Sequence, residues 1–291
     1  MEKDVPLLVA SAPSLMAQAK EMMEGYTLKA RKGLGQHFLI SQGVLNKILA
    51  AADLKPTDTV IEVGPGLGAL TEELLKRAGQ VIAVELDDKL IDALTEKFKG
   101  YPNFRLIHSD ILKTSPEEIL GQDVPYKLVA NLPYYITSAV FRQFLEAKLK
   151  PESMVVMVQK EVAKNIVAKT GDMGLLTLSV RFYGNPSLVS VVPGGAFYPP
   201  PEVDSAIVKI VIPQTTIMEG VSEVDFFKLA RAGFGTRRKT LLNALAQGLG
   251  ISKPVILSLL NGAGIDPARR AETLSMEEWK KLCLEYAGNP C

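Results

Sequence analysis

The chain has few cysteines and few histidines, which argues against a disulfide framework and against a metal site. Its 291 residues include two cysteines, Cys283 and Cys291, both within the last nine positions. A disulfide framework is therefore not expected, and a reducing compartment such as the cytoplasm is the default. The histidines, His37 and His108, lie far apart with no cysteine near either of them. We predict no metal site, because zinc and related ions need several such ligands together.

Long apolar runs are also missing. No stretch approaches the ~18 uninterrupted apolar residues that a membrane span requires, so we expect no membrane partner. The apolar run at 5–10 is short, is interrupted by Pro6 and follows a leading segment that contains acidic residues. We therefore do not interpret it as a signal peptide. Residues 1–25 are predicted to form an N-terminal extension with a short helix at about 15–23.

Neither sign of charge dominates. The chain has 33 Lys and Arg residues against 32 Asp and Glu residues, for a formal net charge of +1. Any surface for nucleic acid must therefore be a local patch. The hydrophobic content of 47% and charged content of 22% are typical of globular proteins. The length suffices for one large domain and a smaller one.

The apolar pattern predicts an α/β fold. Short apolar runs alternate with helical periodicity through the first half of the chain, which is typical of βαβ units and a mainly parallel sheet. Strands are predicted at 59–63, 81–84, 104–107, 126–130 and 154–158, and later at 188–192 and 206–212. Helices are predicted at 41–53, 69–78, 87–99, 138–149 and 161–169. From residue 225 the spacing is helical, so we predict a catalytic domain at 26–212 and a helical domain of about four helices at 213–291.

A glycine-rich loop follows the first predicted strand and opens a helix. Its residues Gly64, Gly66 and Gly68 allow close approach of a ligand and positive φ angles. Glu85 ends the next strand about 20 residues later, where an acidic side chain typically binds a ribose diol. The pair indicates a nucleoside-bearing cofactor without identifying it, since nicotinamide enzymes use similar loops.

Three details favour S-adenosylmethionine over a dinucleotide. Glu62 directly precedes the glycines, where a carboxylate would repel a pyrophosphate but could support a cationic amino-acid group. Asp110 follows the third strand and is placed to accept a hydrogen bond from an adenine amine. Asn131 follows the fourth strand at the same edge of the predicted sheet.

The tetrapeptide Asn131-Leu132-Pro133-Tyr134 suits methylation of a planar exocyclic amine. The adenine N6 lone pair is delocalised into the ring, and two acceptors on its hydrogens would make the nitrogen more pyramidal and nucleophilic. The Asn131 side-chain oxygen and the Leu132 carbonyl are those acceptors, and Pro133 fixes φ and adds no competing donor. Tyr134 offers a ring for base stacking, worth roughly 1–3 kcal/mol. The alternative is a simple strand-ending turn, because Asn and Pro are common turn residues.

Basic residues form two clusters in spite of the balanced total charge. Arg31 and Lys32 lie in one of them, and Arg237, Arg238 and Lys239 open a predicted helix in the other. Such clusters suit phosphate contacts on folded RNA.

Taken together, these motifs resemble those of the rRNA adenine N6-dimethyltransferase family, and in particular its bacterial small-subunit branch. The resemblance covers about residues 28–287. Its motifs lie at 30–39, 62–66, 84–85, 109–110, 131–134, 159–161, 196–205 and 234–240.

The resemblance implies a class I S-adenosylmethionine-dependent methyltransferase, Rossmann-like with a mainly parallel seven-stranded sheet, and a small all-helical C-terminal domain. It implies N6,N6-dimethylation of two adjacent adenosines in a hairpin loop near the 3′ end of 16S rRNA during small-subunit biogenesis. The substrate would be 16S rRNA within the 30S subunit or its precursor, and the enzyme would act as a monomer.

The resemblance also assigns site residues. Cofactor contacts are carried over to His37, Leu39, Gly64, Gly66, Glu85, Asp110 and Asn131. His37 stands where the family usually has Asn, so a contact through its side chain is weighed evenly against one through its backbone.

Phe197 precedes three consecutive prolines, which favour a stiff polyproline segment. An aromatic ring held rigidly opposite Tyr134 would form a slot for a flipped purine. The alternative is a core Phe beside an ordinary proline-rich connection.

Three other functions remain open from the sequence. The nearest is the related large-subunit rRNA methyltransferase that confers macrolide resistance, although the segments at 199–205 and 237–240 resemble the small-subunit enzyme more closely. Another is a ribosome-assembly factor whose binding matters more than its chemistry, against which the intact tetrapeptide at 131–134 argues. The last is a nicotinamide oxidoreductase, supported by the glycine loop alone.

Overall fold

A seven-stranded sheet forms the centre of the molecule, in a computed structural model that describes residues 13–215, 218–236 and 238–288. The strands are β1 (Phe38–Leu39), β2 (Thr59–Val63), β3 (Gln80–Glu85), β4 (Phe104–His108), β5 (Tyr126–Asn131), β6 (Ser153–Gln159), β7 (Asn185–Val192), β8 (Phe197–Tyr198) and β9 (Ser205–Val211). The large sheet has the order β4-β3-β2-β5-β6-β9-β7. All of its strands are parallel except β9, which runs antiparallel to β6 and β7. The predicted α/β fold with a mainly parallel seven-stranded sheet is confirmed.

Helices cover both faces of this sheet, which explains why its strands are almost continuously apolar. In β6, for example, six of seven residues are buried. The helices before and among the strands are α1 (Leu15–Gly25), α2 (Gln42–Ala52), α3 (Ala69–Leu75), α4 (Asp88–Phe98), α5 (Pro116–Leu120), α6 (Thr137–Glu146), α7 (Lys160–Val167) and α8 (Leu175–Tyr183).

Four helices follow the sheet in the described residues, namely α9 (Glu223–Phe234), α10 (Leu241–Leu249), α11 (Lys253–Gly262) and α12 (Met276–Gly288). Trp279 of α12 is fully buried among them. The apolar core continues from α8 into α9, where the ring of Phe182 lies 4.6 Å from that of Phe226 between centroids. The predicted domain boundary near residue 213 stays a prediction, since one apolar cluster spans it.

Four of these elements were not predicted from the sequence: helices α5 and α8 and strands β1 and β8. Helix α8 lies in the stretch after Gly171 for which no helix is predicted. Strands β1 and β8 form a separate two-stranded antiparallel sheet that pairs Phe38 with Tyr198 and Leu39 with Phe197. Each of these strands has two residues, too few for a period-2 pattern.

Arg238 and Lys239 of the C-terminal basic cluster do not open a helix. Helix α10 begins at Leu241 after the N-cap Thr240, so Arg238 and Lys239 precede it. Arg237 lies outside the described residues, as do Cys291 and the first twelve residues of the predicted extension. Over 13–215, 218–236 and 238–288, no helix has both the length and the apolar content needed to cross a bilayer.

Candidate active site

A cavity lies at the carboxyl ends of β2, β3 and β5, the edge where parallel α/β sheets bind ligands. The space inside it is about 1230 Å³ when its open mouth is included. Its lining includes the predicted residues His37, Leu39, Gly64, Gly66, Glu85, Asp110, Asn131, Leu132, Pro133 and Tyr134.

The glycine loop has the backbone that the sequence predicts. Gly66 has φ of 59° and Gly68 has φ of 78°, both in the left-handed region. A Cβ at Gly68 would lie 2.7 Å from the ring of Phe98, and one at Gly66 would lie 3.1 Å from Phe38. Side chains at either position would collide with the core, so the close turn from β2 into α3 requires glycine.

Glu85 is held firmly at the end of β3. Its Oε1 accepts hydrogen bonds from the backbone amides of Leu86 and Asp87, both at 2.8 Å. Its Oε2 has a longer contact of 3.4 Å with the Gly66 amide. Burial raises the pKa of this carboxyl, and three backbone amides oppose that effect. Oε2 is therefore the atom with capacity to accept from a ligand hydroxyl.

Glu62 lies in the cavity wall, with 1% of its surface exposed. Its Oε2 has no hydrogen-bond partner among the described residues. Burial raises the pKa of this carboxyl to about 8, although the nearby Thr71 hydroxyl acts to lower it. A buried carboxyl oxygen without a hydrogen-bond partner is costly. Because Glu62 lines the cavity, its carboxylate fits the cationic amino group of S-adenosylmethionine.

Asp110 lines the cavity two residues beyond the end of β4. Its Oδ1 accepts from the Leu112 amide at 3.0 Å and so caps a short 3₁₀ turn at Ile111–Lys113. This local bond fixes the orientation of the carboxylate toward the cavity.

The Asn131 side-chain amide is oriented by the backbone of His37, the residue before β1. Its Nδ2 donates to the backbone carbonyl of His37 at 3.1 Å. The amide oxygen Oδ1 is therefore the atom left to accept from a substrate. The backbone continues through Pro133 with φ −55° and ψ 130°. Leu132 is anchored by its amide, which donates to the Met157 carbonyl at 3.1 Å.

Tyr134 contacts Ser205 through its hydroxyl and His37 through its ring. Its hydroxyl lies 2.6 Å from Ser205 Oγ. Its ring lies nearly parallel to that of His37, with centroids 6.0 Å apart and planes inclined by 26°. Burial raises the pKa of the Tyr134 hydroxyl, so it stays protonated at neutral pH.

The His37 side chain lies beside Tyr134. Its Nδ1 is 2.8 Å from the Pro199 carbonyl oxygen. Because a carbonyl oxygen only accepts, Nδ1 carries the proton in this contact. The His37 backbone, meanwhile, contacts Asn131. The side chain of His37 thus lies beside Tyr134 and its backbone contacts Asn131, and both of these residues are predicted to bind the base. The predicted contact of His37 with the cofactor stays a prediction.

The structure does not place Phe197 in this cavity. Phe197 is 2% exposed and packs in the apolar cluster with Phe38 and Leu39. Among the described residues that line the cavity, Phe197 does not appear. The described geometry corresponds to the alternative of a packed core Phe, because β8 turns this side chain inward. Its stacking role stays a prediction that would need a rearrangement of β8.

The predicted RNA contacts have different environments. Arg31 forms ion pairs with Asp87 at 2.9 Å and Asp88 at 3.1 Å, so its charge is already compensated. Gln36 joins the same network through a 2.7 Å bond to Asp87. The Arg31 guanidinium therefore ties the segment that contains Arg31 and Gln36 to the loop between β3 and α4. The predicted contact of Arg31 with RNA stays a prediction.

Two of the other predicted RNA contacts, Arg238 and Lys239, have described side chains. Arg238 and Lys239 are exposed, and Lys239 Nζ donates to Gln247 at 2.6 Å. The Lys32 side chain and Arg237 lie outside the described residues.

Sequence reasoning assigned no role to Ser205, Gln36 or Asp87. Ser205 and Gln36 stand inside motifs that carry the family resemblance, but those motifs do not say what either side chain contacts. Within the described part of the chain, no three His, Cys, Asp or Glu residues form a group that could hold a metal ion.

The glycine loop after β2, the buried acid that ends β3 and the Asn-Leu-Pro-Tyr motif that begins with the last residue of β5 define a class I methyltransferase. The family model described as Ribosomal RNA adenine dimethylase matches residues 27–287. The chain is 98% identical over 291 residues to Ribosomal RNA small subunit methyltransferase A of Dehalococcoides mccartyi strain BAV1, with 100% of both chains covered.

Two solved structures are also similar. A dimethyladenosine transferase from Plasmodium falciparum has a TM-score of 0.75 and 28% identity, covering 87% of this chain and 98% of its own. The 23S rRNA methyltransferase ErmE has a TM-score of 0.71 and 28% identity, covering 85% of this chain and 98% of its own.

The chain belongs to the ribosomal RNA adenine dimethylase family. It is an rRNA adenine dimethyltransferase that uses S-adenosylmethionine, so the predicted family, enzyme class and cofactor are confirmed. The alternative of a nicotinamide oxidoreductase is wrong, because the glycine loop occurs here within a methyltransferase.

Proposed function

We propose that this enzyme dimethylates N6 of two adjacent adenosines in a hairpin loop near the 3′ end of 16S rRNA. The substrate is the 30S subunit or its precursor, and the reaction takes place in the cytoplasm, where ribosomal subunits are assembled. The name of the relative at 98% identity supports the small subunit as the target. The family resemblance implies action as a monomer.

The Asn131 amide is the observation that carries this proposal. Because Nδ2 is bonded to the His37 carbonyl, Oδ1 is available to accept one hydrogen of an exocyclic amine. The Leu132 carbonyl accepts the second hydrogen. Both bonds favour a pyramidal nitrogen whose lone pair can attack, and they act by orientation and electrostatics.

Acidic residues hold the cofactor in this proposal. S-adenosylmethionine supplies a methyl group that its sulfonium already activates. Glu62 pairs with the amino group, Glu85 Oε2 accepts from the ribose diol and Asp110 accepts from the adenine amine. The unpaired oxygen of Glu62 and the long contact of Glu85 Oε2 support these assignments.

No side chain needs to act as a general base. The amine becomes cationic when it gains the methyl group, and a cationic aromatic amine loses its proton readily to water. The chain therefore contributes by positioning the target adenine: Tyr134 stacks on the base, while Asn131 and Leu132 orient its N6 nitrogen. Arg238 and Lys239, exposed before α10, contact RNA phosphates.

The proposal is tested with labelled S-adenosylmethionine and purified ribosomal subunits that lack adenine dimethylation. Nucleoside mass spectrometry then identifies the product. We expect dimethyladenosine in the small subunit and none in the large subunit.

The second candidate is methylation of large-subunit rRNA, which the likeness to the 23S rRNA methyltransferase structure favours. Label in large-subunit RNA would support it and contradict our proposal. Label in neither subunit would favour an assembly factor that binds without catalysis.

A further inference from the structure

We propose that Ser205 is a positioning residue that fixes the ring of Tyr134 for stacking on the target adenine. This inference deepens the proposed function and rests on it, since it assumes that Tyr134 stacks on a base. No role for Ser205 follows from the chemistry described above, because it lies behind Tyr134 and contacts neither the cavity nor the predicted cofactor residues.

The contact between the two residues is short and protected from water. Ser205 Oγ lies 2.6 Å from the Tyr134 hydroxyl, and Ser205 is fully buried. Either hydroxyl can donate, so the bond forms in both orientations. Solvent does not compete for the serine, and the Tyr134 hydroxyl therefore has a defined partner.

Ser205 is itself anchored on two sides. It is the first residue of β9 and pairs with Gln159 of β6 and Val192 of β7. The preceding residue, Asp204, accepts from the Lys160 amide at 2.9 Å through its carbonyl. The Asp204 carboxylate forms a 3.1 Å ion pair with Lys160 Nζ. The serine hydroxyl is thus attached to the rigid sheet.

Two contacts then fix the long axis of the Tyr134 ring. The bond to Ser205 fixes the far end of the ring, and the backbone of the 3₁₀ turn Tyr134–Ile136 fixes the near end. The nearly parallel His37 ring, 6.0 Å away, restricts rotation about the axis between those ends. Stacking depends on a ring that is already parallel to the base, because a mobile ring would lose entropy when the base arrives.

A double-mutant cycle tests the inference on small subunits that lack dimethylation. The variants are Ser205→Ala, Tyr134→Phe and the double variant, with Ser187→Ala as a control. Ser187 is an exposed serine of β7, and its hydroxyl donates to the Lys209 carbonyl. Methylation rates, substrate KM and affinity for S-adenosylmethionine are measured for each protein.

We expect Ser205→Ala and Tyr134→Phe each to lower kcat about three- to tenfold, the effect of one lost hydrogen bond. Affinity for S-adenosylmethionine should stay within about twofold of wild type, and Ser187→Ala should behave as wild type. The double variant should be no slower than the slower single variant, because both changes remove the same bond.

Three results would overturn the inference. One is a wild-type rate for Ser205→Ala. Another is an undiminished effect of Ser205→Ala in the Tyr134→Phe background, which would show that the serine acts through the fold alone. The third, which applies if Ser205→Ala does not fold, is a wild-type rate for Tyr134→Phe. Failure of the proposed substrate is separate, because wild-type enzyme would then label large-subunit RNA or neither subunit.

Discussion

Replacement of Glu62 by Gln should stabilise the cofactor-free protein at alkaline pH and have little effect near pH 5. Burial raises the pKa of Glu62 in the folded state to about 8 from an ordinary value of 4.5. Between these values the folded protein keeps a proton that the unfolded chain releases. The unfolded state therefore binds fewer protons, and the stability contributed by this group falls as pH rises through that window. Gln does not ionise, so the variant lacks this loss.

The magnitude follows from the pKa difference. At about 1.36 kcal/mol per pKa unit, the change from 4.5 to about 8 corresponds to roughly 5 kcal/mol, of which about 3–4 kcal/mol develops between pH 5 and pH 8. Glu62 is 1% exposed, so solvent screening reduces this figure little. For a chain of this size the corresponding shift in Tm is on the order of 10 °C.

The assay is denaturant-induced unfolding of wild type and Glu62→Gln at several pH values from 5 to 8, without cofactor. Glu96→Gln serves as a control, because the Glu96 side chain is 67% exposed. The free energies of unfolding should diverge with rising pH for Glu62→Gln and not for Glu96→Gln. Calorimetry should show weaker binding of S-adenosylmethionine to Glu62→Gln. Parallel pH profiles for wild type and Glu62→Gln would refute the reasoning.

Four further variants test the other assignments. Glu85→Ala should weaken binding of S-adenosylmethionine by about 10- to 100-fold through loss of hydrogen bonds to a charged acceptor, and unchanged affinity by calorimetry would contradict the diol contact. Asn131→Ala should abolish methylation and leave ribosome binding nearly intact, whereas surviving turnover would count against activation of the amine. Arg31→Met should weaken cofactor binding, because the Asp87 contact is lost, and leave the salt dependence of RNA binding unchanged. Arg238→Ala should instead reduce the log–log salt slope of RNA binding by about one, and an unchanged slope would argue against a phosphate contact.

The sheet and the location of the site could be predicted because their signals are local. The strand predicted at 59–63 coincides with β2, and the strands predicted at 81–84 and 126–130 extend by one residue or less at each end. Helical and strand periods are visible within a few residues. Once the strands are parallel, their carboxyl ends meet at one edge. The sequence positions of Glu85 and Asn131 at two such ends therefore imply that they share a cavity.

Side-chain partners could not be predicted, because they join distant parts of the chain. His37 and Pro199 are 162 residues apart, His37 and Asn131 are 94 apart, and Tyr134 and Ser205 are 71 apart. No local pattern encodes such contacts. The same holds for Arg31, whose ion-pair partner Asp87 lies far away in the sequence, in the loop between β3 and α4.

By itself, the sequence determined the α/β class, the family, the cofactor and the residues at the strand ends, because periodicity and motif spacing are properties of short segments. Tertiary structure alone decided which atoms of those residues already have a partner within the chain and which can still bind a ligand. It bonded Asn131 Nδ2 to the His37 carbonyl, left Glu62 Oε2 unpaired, buried Phe197 and bonded Tyr134 to Ser205. Those outcomes depend on the packing of β1, β8 and β9 against the parallel strands, and packing is set by the whole chain.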